Sequence, residues 1–281
     1  MKYLVAVSGG IDSVVLLDML VAEGKHELTV GHFDHGIRDD SAADARFVEL
    51  LAARYNLPYA GRREELGKDA SEEVARSRRY RFLGEEALIR EAKIVTAHHQ
   101  DDVIETIAIN LQRGTGWRGL AVLGGKHIVR PLLGLSKEDI REYALEHRLE
   151  WVEDSTNASG AYLRNRLRRQ LHKMLGADVR QQVITLWKKQ LVIRQDIEEE
   201  GSSFIDTGPL SRYFFTQINE KVATELLRAY FESCFGWSPT RPQLERTLLV
   251  IKTARAGTLF PFGGAQLLIE KKFFRLSVKT P

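Results

Sequence analysis

The residues Ser8-Gly9-Gly10-Ile11-Asp12-Ser13 directly follow the apolar run Tyr3-Leu4-Val5-Ala6-Val7 and precede Val14-Val15-Leu16-Leu17. Read as strand, glycine turn and helix start, this order builds a phosphate site. Glycines let the backbone approach an anion, and the free N–H groups and dipole of a helix N-terminus favour negative charge. Ser8 and Ser13 add hydroxyl donors, and Asp12 can hold a divalent metal that bridges phosphates. The lysine of a G-x-x-x-x-G-K-[ST] loop is missing, so this is not a Walker A loop.

A second chemistry-bearing run is His98-His99-Gln100-Asp101-Asp102-Val103-Ile104-Glu105-Thr106, at the end of an apolar segment and the start of a helical pattern. Asp102 and Glu105 are three apart and share a helix face, where they could hold Mg²⁺ or an ammonium group. Acids there also simply complement a helix N-terminus. His98, at the strand end, could contact a phosphate or shuttle a proton.

Four further segments carry polar or basic chemistry. In His32-Phe33-Asp34-His35-Gly36-Ile37-Arg38, Gly36 admits a ligand close to the backbone and Asp34 could bind a nucleotide edge or a metal. Arg76 and Arg79 share a face of a helical stretch, where either could offset phosphate charge. The glycine-rich turn around Arg113 and Arg118 is a candidate for closing over a site. Asp154-Ser155-Thr156-Asn157 leads into Tyr162-Leu163-Arg164-Asn165-Arg166-Leu167-Arg168-Arg169, where Arg164 and Arg168 face the same way beside Tyr162. Such a cluster suits a backbone phosphate and an unstacked base.

The elements that must position these groups alternate. Strands are expected at Leu28 to Phe33, Lys93 to Ala97 and, at a sheet edge, Glu150 to Val152; helices at Ala42 to Tyr55 and Asp101 to Gln112. Ser136 with Asp139 three residues on opens another helix. The alternation predicts an α/β fold, a doubly wound and mostly parallel sheet, with its site at the carboxyl ends of the strands. The expected domains are a catalytic domain over 1–176, a long linker helix over 177–201 and a small C-terminal α+β domain over 202–281. The boundary near 201 is suggested by Glu198-Glu199-Glu200, since acids oppose the dipole at a helix C-terminus. Helices at about 219–233 and 240–253 follow, then strand-like pieces near 263–264 and 271–272.

Composition is that of an ordinary soluble enzyme: 281 residues, 28% charged and 43% hydrophobic. A net charge of only +3 means that any nucleic-acid footprint is local. The lone Cys234 rules out an internal disulfide or a cysteine-built cluster within this sequence. No long apolar run or leader pattern is present, so no membrane association is expected and the expected compartment is the cytoplasm.

The loop at 8–13 resembles the SGGxDS pyrophosphate loop of the N-type ATP pyrophosphatases, which split ATP into AMP and pyrophosphate to activate a carbonyl-type oxygen. The ordered set SGGIDS, FDHGIR, ARSRRY, HHQDDVIET, LQRGTG, RPLL and DSTN…Y-x-RNRLR, over roughly residues 1–170, resembles the bacterial tRNA(Ile)-lysidine synthetase family. That resemblance implies ATP and Mg²⁺ at Ser8, Gly9, Gly10, Ile11, Asp12 and Ser13, with Asp12 at the metal and Asp34, His35 and Gly36 near the nucleotide. It implies free L-lysine and the wobble cytidine of a CAU-anticodon tRNA(Ile) as substrates. His98, Asp102 and Glu105 would form the lysine and catalytic region, and Arg76 or Arg79 would offset developing charge. Arg113, Asp154, Asn157, Arg164, Asn165 and Arg168 would hold the substrate RNA, and the C-terminal domain would also touch tRNA. A homodimer is among the assemblies to be expected. Some members carry a further C-terminal domain beyond the span of this sequence.

Three rivals share parts of this pattern. A tRNA thiolase of the same superfamily needs paired thiols or a cluster, which Cys234 alone cannot supply. An amidating ligase acting on a small acid leaves the basic 164–169 segment without a role. A plain RNA-binding module has no need of a pyrophosphate loop.

Overall fold

A computed structural model describes residues 1–37, 41–67, 70–125, 127–153, 171, 174–262 and 265–278. The chain splits into two compact units, Met1–Gln190 and Leu191–Pro281.

In the first unit, strands β1 (Lys2–Ala6), β2 (Glu27–Asp34), β3 (Tyr59–Arg63), β4 (Lys93–Val95) and β5 (Ile128–Val129) form one parallel sheet in the order β3-β2-β1-β4-β5. Helices α1 (Ile11–Glu23), α2 (Ser41–Arg54), α3 (Glu72–Ile89), α4 (Gln100–Gln112) and α5 (Lys137–Glu146) connect or flank them. A parallel sheet needs such crossovers and is covered on both faces. Strand alternation sorts the side chains of β1. Tyr3 and Val5, with Val7 just beyond, join α1, α2 and α5 residues such as Val15, Leu17, Leu51 and Ile140. Leu4 turns the other way to Phe33, Phe82 and Leu83. Burial of each such side chain is worth about 1.5–3 kcal/mol.

The chain steps from β1 outward to β2 and β3, then crosses back to β4 and β5. The order therefore reverses between β1 and β4. Loops leaving the carboxyl ends of those two strands diverge and leave a crevice, where ligands of open α/β sheets bind.

A long helix, α6 (Ala177–Phe204), contains the division between the two units. In the second unit β6 (Leu210–Ser211), α7 (Arg212–Gln217), α8 (Glu220–Phe235), α9 (Arg241–Thr253), β7 (Leu259–Phe262), β8 (Ala265–Ile269) and β9 (Phe273–Val278) follow. Its antiparallel sheet has the order β6-β9-β8-β7, and Leu227, Tyr230, Phe231, Leu244, Leu248, Leu267 and Phe274 form its core.

Two sequence expectations are corrected. Residues 150–152 are not strand; that piece instead donates Val152 N–H to Gly9 O at 2.9 Å. The helix expected to stop near 201 runs on to Phe204. Its acids are held one turn back, Glu198 by Arg194 Nε at 2.7 Å and Glu199 by Gln195 Nε2 at 2.8 Å. Gly201 is buried beside Ala229 within the helix and does not end it. The two compact units divide between Gln190 and Leu191, within this helix. No helix among the described residues is long and apolar enough to cross a membrane.

Candidate active site

The loop after β1 is built around its two serines. Ser13 Oγ donates to Gly10 O at 2.8 Å and accepts from Ser8 N–H at 3.1 Å, with Ser8 Oγ 3.3 Å away. Gly9 has φ +92°, and a Cβ there would reach Val48, Phe47 and Val152 at 3.4–3.6 Å, so a side chain is excluded by conformation. Gly10 is the N-cap of α1 and offers no capping side chain, which leaves the first amides of the helix to an external acceptor. Ile11 is half-buried at the helix start. His32 braces the loop from β2: its Nδ1 lies 2.8 Å from Val7 O, and since a carbonyl only accepts, Nδ1 donates.

Asp12, at the second position of α1, faces α4 and α5. Its Oδ1 is ion-paired with Lys137 Nζ, and its Oδ2 lies 3.8 Å from His99 Nε2. His99 is buried and stands also 3.6 Å from Asp102 Oδ2. Asp101 N–H donates to His99 Nδ1 at 3.3 Å, so neutral His99 carries its proton on Nε2, toward both carboxylates. These separations are too long for hydrogen bonds but within Coulombic reach. Asp102 Oδ2 accepts His99 N–H at 3.0 Å, which closes the capping box of α4. Glu105, one turn on, is buried.

His98 precedes His99 at the carboxyl end of β4. Its Nδ1 is 2.8 Å from Thr96 Oγ1, and burial pushes its pKa down to about 4. Nearby Asp102 opposes that shift, while Arg130, Arg76 and Arg79 reinforce it. Arg76 and Arg79 both lie over the Tyr80 ring, at 4.8 and 5.5 Å. Arg130 donates Nη1 to Leu123 O at 2.9 Å, and its buried Nε has no hydrogen-bond partner among the described residues. Burial lowers the pKa of Arg130. A concentration of positive charge thus surrounds an uncharged imidazole, which suits an anion at the carboxyl ends of β4 and β5.

Other expected site residues are placed differently. Asp34 is buried, with Oδ1 accepting Gly36 N–H at 2.9 Å and Oδ2 accepting Arg63 Nη1 at 2.8 Å. Desolvation raises its pKa, yet the Gly36 and Ser41 hydrogen bonds and Arg63 together take it below the ordinary value. Both oxygens are therefore engaged internally, and Asp34 shapes the loop that carries His35 and Gly36. Arg113 is exposed at the C-cap of α4, about 17 Å along the axis from Asp102. The same helix that presents Asp102 to the crevice carries Arg113 away from it. The turn beyond is folded back on α4 by Asn110 Nδ2 to Gly119 O at 2.9 Å. Asp154, Asn157, Arg164, Asn165 and Arg168 lie outside the described residues.

His99, Arg130 and Lys137 are the groups that sequence reasoning missed. The spacing of His99 to Asp102 is that of a capping box, a signal that was present. Nothing local marks Lys137 or Arg130, which reach the site only through the fold.

Among the described residues no three His, Cys, Asp or Glu side chains are placed together to hold a metal. Mg²⁺ is usually held by one or two carboxylates with waters and substrate phosphates supplying the rest. Asp12, with Asp102 across His99, fits that donor chemistry.

The model of the PP-loop domain family matches residues 1–175. The tRNA(Ile)-lysidine synthase of Solibacter usitatus is 41% identical over 179 residues, covering 62% of this chain and 41% of that protein. Its counterpart from Thermotoga maritima is 35% identical over 244 residues, covering 82% and 58%. The chain thus spans less than two thirds of the length of these curated relatives. Among solved structures, the U34-tRNA thiolase NcsA from Methanococcus maripaludis with its 4Fe-4S cluster has a TM-score of 0.58 at 17% identity, covering 68% of this chain and 72% of that one, a likeness of fold. The matched span holds the glycine loop, the capping box of α4 and the arginine cluster together, and the chain belongs to the PP-loop domain family.

Proposed function

We propose that the chain uses ATP to ligate free lysine to C2 of the wobble cytidine in a CAU-anticodon tRNA(Ile). The C2 oxygen attacks the α-phosphorus, and pyrophosphate leaves. The lysine ε-amine then adds at C2, AMP departs with the oxygen, and the amine proton is released. The product, lysidine, pairs with A rather than G and makes the tRNA an isoleucine acceptor.

One observation carries this reading. An anion loop after β1 and an acid–histidine–arginine cluster after β4 meet at one switch point, in a chain whose curated relatives are named tRNA(Ile)-lysidine synthase. The amides of α1 and the exposed Ser8 receive the pyrophosphate, on a loop whose shape the Ser13 hydroxyl holds. Asp12 would hold Mg²⁺, which neutralises phosphate charge when bound. Asp102 or Glu105 pairs with the lysine ammonium, and His98, held uncharged, adds no repulsion there. Arg76, Arg79 and Arg130 offset the charge developing on the reacting phosphate. The basic 164–169 segment takes the anticodon, whose loop bases unstack at low cost. A homodimer working in the cytoplasm completes the reading.

The fold is shared with a thiolase, which favours sulfur chemistry as the second reading. The one cysteine of this sequence, Cys234, lies in the second unit with its thiol pKa raised by burial. That is a poor nucleophile.

The test is incubation of the purified chain with ATP, Mg²⁺, labelled lysine and a CAU-anticodon tRNA(Ile) transcript. Label should enter the RNA with release of AMP. Sulfur transfer to RNA, or label entering a small acid instead, would overturn the assignment.

A further inference from the structure

The loop at 8–13 contains no lysine or arginine, yet a cation reaches it from elsewhere in the chain. Lys137 is the first residue of α5, and its Nζ pairs with Asp12 Oδ1. Its backbone is fixed from several sides. Ser136 and Asp139 exchange a capping box, with Asp139 Oδ2 accepting Ser136 N–H at 2.8 Å and Ser136 Oγ accepting Asp139 N–H at 3.1 Å. Ile140 and Ala144 are wholly buried in the core that α5 shares with α1. Gln100, at the start of α4, donates its N–H to Leu135 O at 3.0 Å and its Nε2 to Gly134 O at 2.7 Å. The root of the side chain is thereby held while its ammonium, on a flexible four-carbon stem, stays 40% exposed.

We propose that Lys137 supplies from α5 the cation that a Walker loop carries within itself, and that it leaves Asp12 for the β- and γ-phosphates when nucleotide binds. The inference rests on the ATP-using function above. An exposed pair is weakly held, and a pyrophosphate group with several charges outcompetes one carboxylate for the ammonium. The same movement frees Asp12 Oδ1 for the metal. Until then Lys137 keeps Asp12 neutralised beside the α1 amides.

The experiment uses the full chain and its Lys137→Ala, Lys137→Gln and Lys137→Arg variants. Calorimetry reads the affinity for inorganic pyrophosphate with Mg²⁺ present, and Mn²⁺ titration by electron paramagnetic resonance reads metal binding without it. Lys137→Ala and Lys137→Gln should weaken pyrophosphate binding about tenfold or more. Lys137→Arg should restore most of it, and Mn²⁺ should bind Lys137→Ala more tightly than wild type. Unchanged pyrophosphate affinity in Lys137→Ala, while wild type still forms AMP, overturns the inference and leaves the function standing. Pyrophosphate and Mn²⁺ affinities that fall in parallel with the melting temperature identify a mere tether and also overturn it. A wild-type chain that binds neither ATP nor pyrophosphate overturns both.

Discussion

His99 Nε2 stands 3.8 Å from Asp12 Oδ2, so an imidazole on the loop after β4 faces the carboxylate that opens the helix after β1. Because its Nδ1 is committed to Asp101 N–H, the ring cannot turn without losing a hydrogen bond. That holds its Nε2 edge toward the carboxylates of Asp12 and Asp102. His99→Ala should lower ATP-dependent AMP formation about 10–100-fold, the usual cost of removing a partner that orients a ligand-bearing group. Steady-state AMP release checks this, with circular dichroism to confirm folding. Unaltered turnover would mean that the Asp12–His99–Asp102 row is only structural.

Asp12 carries a sharper expectation. Asp12→Ala should abolish measurable AMP formation while tRNA binding in a filter assay stays within about twofold, since the proposed function puts the RNA contacts on basic residues away from this loop. Loss of RNA binding together with activity would assign the loop to folding instead of phosphate chemistry.

His98 ties stability to pH. Its folded pKa, about 4, lies below the ordinary 6.5, so between those values the unfolded chain binds a proton that the folded chain refuses. Stability contributed by neutral His98 is complete above pH 6.5 and is lost as pH falls toward 4. Urea midpoints over that range should fall on acidification, and His98→Asn should flatten the slope. An equal slope in the variant would place the titration elsewhere.

Gly36 has φ +61°, and a Cβ there would lie 3.0 Å from Glu65 Cα and closer still to its carboxylate. Gly36→Ala should cost about 1–3 kcal/mol in urea unfolding, because strain and a backbone approach add. A change below about 0.5 kcal/mol, the level of a neutral surface substitution, would show that the loop re-forms around the methyl.

Asp18 ties α1 to α5 and to the turn that follows α2 through two phenols, accepting Tyr55 OH at 2.6 Å and Tyr143 OH at 2.9 Å. The pair raises both phenol pKa values, with burial as the first cause and Asp18 as the second, Tyr143 reaching about 12. Asp18→Ala should destabilise by about 2–3 kcal/mol, and in a Tyr55→Phe background by less. Full additivity in that double-mutant cycle would deny the coupling.

Much of this arrangement was legible in order of residues alone. SGGIDS between an apolar strand and an apolar helix start has few other uses, and period and length sufficed for β2, α2 and α8. Local rules read local groups: the Ser136–Asp139 box appears as expected. They misread Glu198–Glu200 as a helix end, because the pairs with Arg194 and Gln195 and the packing of Gly201 on Ala229 come from side-chain geometry. They also offered Asp34 and Arg113 as ligands, since a sequence does not show which polar atoms are already satisfied or which end of a helix meets the crevice.

By itself, then, the sequence determined the chemistry of the first loop, the alternation that makes a parallel sheet, and the family pattern over its first 170 residues or so. The tertiary structure decided which groups share the site. The order reversal between β1 and β4 sets distant segments side by side, bringing His99 and Lys137 to Asp12 and Arg130 to Arg76, Arg79 and His98. Such meetings depend on strand order and crossover direction, which are properties of long-range packing that no local spacing encodes.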